Sequence, residues 1–303
     1  MKVPAWVRRQ ALVPVVVALA AAVSCADGGD AGAVAVGAGD SAESAVLAEI
    51  YAGALSRGGI PAVVAPAPGD RSARVAALDS GAVDLLADHT GALTRFFDAT
   101  AFAAAGPSST PAAETPDPAQ TATAALARSL PQGLVISDPA DGTDLRPRLL
   151  VTEETARRDE LAKAESATPA CADRTGGLAP APGLLDPAPP ETIPACIFGS
   201  TERFADPAAL RAALLEGRVQ AGVLAGPAPA DSTAGLTALA LDLPAENVVP
   251  LFRDGVLDDR GRERLNQVAG ELTTDELVVL VQRAEAGERA ADLAGSWLDA
   301  HAL

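Results

Sequence analysis

A chain of 303 residues, 49% of them apolar, is long enough for one large or two medium domains with a substantial buried core. Aromatic residues make up only 3%, so that core must be built from Ala, Leu and Val, and few rings are left to stack on a ligand. A formal charge of −17 argues against nucleic acid as a partner, because phosphates would be repelled, and reads as a solvated acidic surface.

The first 24 residues read as a secretory signal. Lys2, Arg8 and Arg9 precede an apolar run over 11–23, shorter than the ~18–20 residues a spanning helix needs. The run ends in Ala22-Val23-Ser24-Cys25, which resembles a bacterial lipobox with Cys25 as the lipidated mature N-terminus. The alternative is an ordinary cleaved signal with an incidental cysteine. Residues 25–33, rich in Gly, Asp and Ala, read as the lipidated Cys and a flexible tether.

The folded part begins with a strand over 33–37. Asp40 and Glu43 have the spacing of a capping box for a helix whose apolar face carries Val46, Leu47, Ile50, Tyr51 and Leu55. Gly58-Gly59 end it. A second strand (62–65), a helix (71–80) and a third, wholly apolar strand (83–86) follow, and this β-α-β-α-β order implies a parallel sheet. The third strand is central by its apolarity and delivers Asp88, His89 and Thr90 as a loop at its carboxyl end, where ligands sit in open α/β sheets. The Pro-, Ser- and Thr-rich stretch 105–120 reads as a linker or exposed loop.

A helix over 121–129 and a strand over 134–137 lead to a crossover at 138–144. A strand at 149–151, a Thr152-capped helix over 153–164 and a loop over 168–194 come next. Asp206-Pro207 start a helix ending at Gly217, before a strand over 219–224. The stretch 213–226 repeats the order of 76–91: helix end, Gly, apolar strand, small or polar loop. Two such units imply two similar lobes, each offering a strand-end loop to a shared cleft. The chain finishes with a strand over 247–252 and helices over 261–271, 274–285 and 289–300, the second opened by a Thr273/Glu276 capping box. Tyr51 and Trp297 lie on apolar helix faces and read as packing residues.

The segment Leu78-Asp79-Ser80-Gly81, Asp84-Leu85, Asp88-His89-Thr90-Gly91 resembles the helix–strand–loop of substrate-binding proteins of glycine betaine/choline-type, or osmoprotectant, ABC transporters. Val36-Gly37-Ala38-Gly39-Asp40 and the helix after it, 134–140, 247–251 and 272–277 extend the likeness over most of the chain beyond residue 33, most weakly at 171–201. The resemblance implies a two-lobed α/β fold of the type II periplasmic-binding-protein kind with parallel-rich sheets and a hinge. Lobe one would comprise 34–138 and 245–303, and lobe two 139–244. It implies an extracytoplasmic receptor that delivers a small solute to an ABC permease, held at the membrane by its lipid. It implies no enzyme activity and no cofactor, and a monomer is expected.

Where that family carries a Tyr in the loop, this chain has His89; near the hinge it has Asp144 and Arg146, and the lobe-two loop is Gly226-Pro227. A cage of rings for a quaternary ammonium is therefore not expected, although Phe198 is a candidate for one wall. The expected ligand is instead polar or zwitterionic. Its candidate contacts are Asp40, Ser41, His89, Thr90, Asp144, Arg146 and Gly226, with free N–H groups after Asp40 suited to a carboxylate. Cys171 and Cys196 remain once Cys25 is assigned to lipid; with no C-x-x-C or His cluster they are expected to pair as a disulfide rather than bind metal. No G-x-S-x-G, P-loop or H-E-x-x-H occurs. A lipoprotein that keeps the fold as a sensor or scaffold is the second reading, and a secreted hydrolase the third.

Overall fold

β1 (Val34–Ala38) alternates poorly and is nearly all buried, as befits a strand covered on both faces. The computed structural model describes residues 32–102, 117–159, 171–190, 196–239, 241 and 243–303. The expected signal, Cys25 and nearly all of the expected tether lie outside the described residues, as do residues 105–116 of the expected 105–120 linker, whose last residues, 118–120, instead form the first turn of a helix capped by Asp117.

β1 leads into α1 (Ala42–Arg57), and β2 (Ala62–Pro66), α2 (Arg71–Asp79) and β3 (Leu85–His89) follow. α3 (Thr90–Phe97), α4 (Pro118–Ser129) and β4 (Leu134–Ile136) complete this half before the chain crosses over. Beyond the crossover come β5 (Arg148–Thr152), α5 (Glu153–Arg158), β6 (Thr175–Ala179), β7 (Ser200–Arg203), α6 (Pro207–Leu215), β8 (Ala221–Leu224) and β9 (Leu236–Leu239). β10 (Val248–Arg253), α7 (Asp259–Glu271), α8 (Thr274–Glu285) and α9 (Ala290–Ala300) return to the first half.

The strands form two five-stranded sheets, ordered β2-β1-β3-β10-β4 and β7-β6-β8-β5-β9. The two orders are equivalent position by position. In each, the middle strand (β3 or β8) pairs parallel with one neighbour and antiparallel with the strand that arrives from the other half. The internal repeat is therefore structural. α2 and α6 both end before a glycine in the left-handed region, Gly81 (φ 76°) and Gly217 (φ 74°), and the strand that follows is central in its sheet. Both sheets are mixed rather than parallel, because β10 and β5 run back through them.

Apolar clusters cover both faces of each sheet. The largest places Leu47, Ile50 and Tyr51 of α1 against the C-terminal helices, with Trp297 and Leu298 in the same cluster. It continues into the second lobe through Ala181, Leu184 and Ala225. Two segments link the lobes side by side: Ala140 N donates to Val248 O (2.8 Å), Leu145 N to Glu246 O (2.9 Å) and Val248 N to Thr143 Oγ1 (2.9 Å). The Cys171–Cys196 disulfide is formed, with Cα atoms 5.2 Å apart, and packs into the second lobe's core. Among the described residues no helix is long and apolar enough to cross a membrane.

Several local expectations are corrected. The third strand starts two residues and ends three residues later than its apolar run suggests, because β10 pairs along it as far as Val248 opposite His89. Asp88 and His89 are thus strand residues, and Thr90 opens a helix instead of lying in a loop. The stretch 168–194 contains a strand, β6, hidden by its Gly176-Gly177 pair. Those glycines are needed because side chains lie across them: a Cβ on Gly177 would sit 2.3 Å from Leu210, and one on Gly176 2.3 Å from the Phe198 ring. Phe198 accordingly packs within the second lobe. Of the helix expected over 153–164, residues 160–164 lie outside the described residues.

Candidate functional site

The N-terminus of α1 is built differently from the capping-box reading. Ser41 is the cap, accepting from Ser44 N (3.1 Å), while Asp40 turns outward and accepts from Gly69 N (2.7 Å). Glu43 does not reach back to the cap. Its side chain is fully buried, with Oε1 2.7 Å from His89 Nε2 and Oε2 accepting from Leu185 N (2.7 Å). Glu43 N in turn donates to Gly183 O (2.9 Å). One residue of α1 thus joins the end of β3 to the loop that leaves β6 in the second lobe.

Around this contact lies a set of six charged or chargeable side chains: Glu43, Arg71, Arg74, Asp88, His89 and Asp186. Arg71, the first residue of α2, donates from Nε to both Asp88 oxygens (3.0 Å each) and from its NH2 group to Oδ1 (2.7 Å). The same guanidinium reaches Asp186 at 2.7 and 3.2 Å. Arg74, one turn on, donates to Asp88 Oδ2 (3.2 Å), and among the described residues its buried Nε has no hydrogen-bond partner. The second ring nitrogen of His89, Nδ1, lies 3.5 Å from Asp186 Oδ2. Burial opposes a charge on His89, but the carboxylates of Glu43 and Asp186 outweigh it and raise its pKa well above the ordinary imidazole value. Burial likewise opposes ionisation of Asp186, yet hydrogen bonds and charge from His89 and Arg71 hold it well below the usual carboxylate range.

Arg71, Arg74 and Asp186 of this set line a cavity of about 650 Å³, with Glu43, Asp88 and His89 buried behind them. Asp40, Ser41, Asp70 and Arg71 at the starts of α1 and α2 line one side, and 183–187 of the second lobe the other. Phe96 is the one aromatic ring on its wall among the described residues. Asp88, His89 and Asp186 present ligand atoms within 4.8 Å of one another, a spacing that suits a metal ion. The guanidinium of Arg71, however, already lies on both carboxylates, so cationic charge is supplied by the chain itself.

The other residues singled out from the sequence lie elsewhere. Thr90 is buried, donating to Ala245 O (2.9 Å) and accepting from Asn247 N (3.1 Å), so it ties α3 to a linking segment. Asp144 and Arg146 form an ion pair with each other (2.8 Å), and Arg148 joins the same carboxylate (2.9 Å). Burial raises the Asp144 pKa, but hydrogen bonds from Arg146 and the charge of Arg148 bring it below the usual carboxylate range. The Arg146 fork expected to face a solute is thus engaged within the hinge. Gly226 packs against Leu184 and the Leu145 carbonyl. Sequence reading missed Arg71, Arg74 and Asp186 as partners of the strand end and took Glu43 for a cap. The one available signal was the 3-residue spacing of Arg71 and Arg74 at the start of a helix that runs into β3.

The chain matches, over residues 32–300, the family described as the substrate-binding domain of ABC-type glycine betaine transport systems, and it belongs to that family. In structure it is similar to the apo form of YehZ from Escherichia coli, at 20% identity and a TM-score of 0.59, over 89% of this chain and 98% of that one. It is also similar to a protein described as a glycine betaine/carnitine/choline ABC transporter, at 17% identity and a TM-score of 0.61, over 88% of this chain and 98% of that one. At these identities the likeness establishes the two-lobed fold. A comparison with curated protein sequences found no significant match.

Proposed function

We propose that this protein is an extracytoplasmic receptor, anchored through Cys25, that captures a small polar or zwitterionic solute and presents it to an ABC permease. The observation that carries this reading is the cavity between the two lobes, bordered by paired helix starts and a buried charged cluster at the end of a central strand. Asp40, Ser41, Arg71 and His89 are the solute-facing groups of the first lobe. Thr90, Asp144, Arg146 and Gly226 serve the hinge and the back of the cleft. A single ring, Phe96, cannot cage a quaternary ammonium, which favours a ligand held by hydrogen bonds and charge.

Native mass spectrometry of freshly purified protein, followed by titration calorimetry with betaines, choline, amino acids and sugars, tests the reading. Capture of one solute with a matching rise in melting temperature is expected. The sensor or scaffold reading draws on Asp186, a residue of the chain itself that crosses the cleft. Absence of any co-purified or titrated solute, together with a melting temperature that no panel member moves, would favour it. Cys25→Ser should release the protein from the membrane fraction, and retention after a carbonate wash would place the anchor elsewhere.

A further inference from the structure

We propose that Asp186 is a resident counter-anion: it occupies a carboxylate site formed by Arg71 and His89, and a solute's own carboxylate takes that site by displacing the loop over 181–187. This rests on the receptor reading above and adds the chemical class of the group recognised.

The cluster is asymmetric between the lobes. The first lobe supplies Glu43, Asp88, Arg71, Arg74 and His89. Asp88 lies under both guanidiniums and Glu43 faces one nitrogen of His89. Each of the two cationic groups nearest the cleft therefore has one side held by its own lobe and the other turned outward. The outward donors are the two terminal nitrogens of Arg71 and Nδ1 of His89, and all converge on the carboxylate of Asp186 at 2.7–3.5 Å. That convergence of a planar fork and an imidazolium is the geometry of carboxylate recognition. With His89 protonated, the first-lobe members of the cluster are two acids and three cationic groups, a local excess of one positive charge at the fork, with Asp40 and Asp70 farther along the same wall. Asp186 neutralises that excess.

Asp186 also differs from its partners in exposure and in what holds it. Its side chain is 48% exposed, against 3% for Asp88 and 3% for His89. It projects from a loop of the other lobe that includes Pro182, Pro187 and Gly183, the last with φ 80°. That loop is fastened to the first lobe by Leu185 N to Glu43 and Glu43 N to Gly183 O. Opening the cleft breaks these contacts and exposes the fork of Arg71 to whatever anion is present. A solute without an anionic group has nothing to offer in exchange for Asp186, so this residue selects for acids and zwitterions over simple cations.

The experiment uses acetate as the probe, with chloride at the same ionic strength as control. Asp186→Ala should melt below the wild type, and acetate at tens of millimolar should restore it by about 2–4 °C, while wild type stays unmoved. The double variant R71A/D186A should lose the acetate response, and tetramethylammonium should give none in any variant. Should D186A fold poorly, Asp186→Asn is followed by NMR of its two histidines. Acetate should then shift the His89 ring and leave His301 in place.

Acetate acting no differently from chloride on D186A, or equally on R71A/D186A, would overturn the proposal, as would an unshifted His89 ring. A solute that binds wild type and D186A equally would also overturn it while leaving the receptor reading intact. A carboxylate-bearing solute should instead bind D186A about tenfold more tightly, as expected when one charged competitor is removed. Acetate rescue in a protein that captures no solute would support the anion site and remove the receptor reading.

Discussion

Glu43 is the residue on which the cleft turns, because one buried carboxylate serves three elements at once. Its replacement by Gln keeps the shape but removes the charge facing His89. Loss of a charged hydrogen-bond partner inside a protein costs about 1.5–3 kcal/mol, so Glu43→Gln should lower the unfolding free energy by that amount, seen as a lower urea midpoint with an unchanged denaturant slope. A stability change within about 0.5 kcal/mol, the spread for surface changes, would show that His89 is neutral in the folded chain. The His89 pKa is raised, so its contribution to stability is full below the unfolded value of ~6.5 and declines as pH rises through the folded value. The Asp186 pKa is depressed, so its contribution is full above ~4 and declines as pH falls further. The difference in melting temperature between wild type and His89→Gln should therefore shrink as pH is raised above ~6.5, which thermal scans across that range would read directly.

At the scale of elements, β6 and β8 depend on close packing that leaves no room for added atoms. On β6, a Cβ at Gly177 would meet Leu210 at 2.3 Å and Phe204 at 2.9 Å. Gly177→Ala should thus destabilise by about 1–3 kcal/mol through overpacking. Leu210→Ala, which empties a fully buried position beneath β6 and β8, should cost about 2–5 kcal/mol. Chemical denaturation of both variants tests this, and a neutral Gly177→Ala would mean that α6 can shift away from the sheet. The disulfide closes a loop of 25 residues in the same lobe. Removing it as Cys171→Ser/Cys196→Ser should cost about 3 kcal/mol in the loop-entropy account, while alkylation without reduction should label neither cysteine of the wild type. The cleft contacts lie on other residues, so solute capture should survive at temperatures where the variant stays folded.

For the whole molecule, the expected behaviour is that of two sheets joined by paired segments and closed on a charged cluster. Repulsion within so acidic a chain is screened by salt, yet Glu43, Arg74, Asp88 and His89 of the cluster are buried, and their mutual contacts should respond little to ionic strength. Arg71→Ala removes the one side chain that holds both Asp88 and Asp186. Small-angle scattering should then show a larger radius of gyration than wild type at neutral pH, as the lobes lose their bridge. An unchanged radius would place the closing force in the apolar contacts of Leu184 and Ala181 instead.

Much of this protein was determined by the sequence alone, because the signals are local. Helix caps at Thr152, Asp206 and Thr273, glycine stops at Gly58 and Gly81, and the apolar periodicity of α1 and α9 each act within a few residues. The repeated helix–Gly–strand unit and the family resemblance were legible for the same reason, as was the pairing of two leftover cysteines. Only the tertiary structure decided the register of β3, which β10 extends to His89, and the existence of β6, whose glycines answer to side chains distant in the chain. It also decided the partners of the site. Asp186 lies 97 positions from His89 and Glu43 lies 46 away, and no periodicity or motif links them. Charged side chains meet across such separations only when the two lobes fold and close. A capping-box spacing at Asp40 and Glu43 therefore concealed a buried acid that the rest of the molecule brings to a histidine.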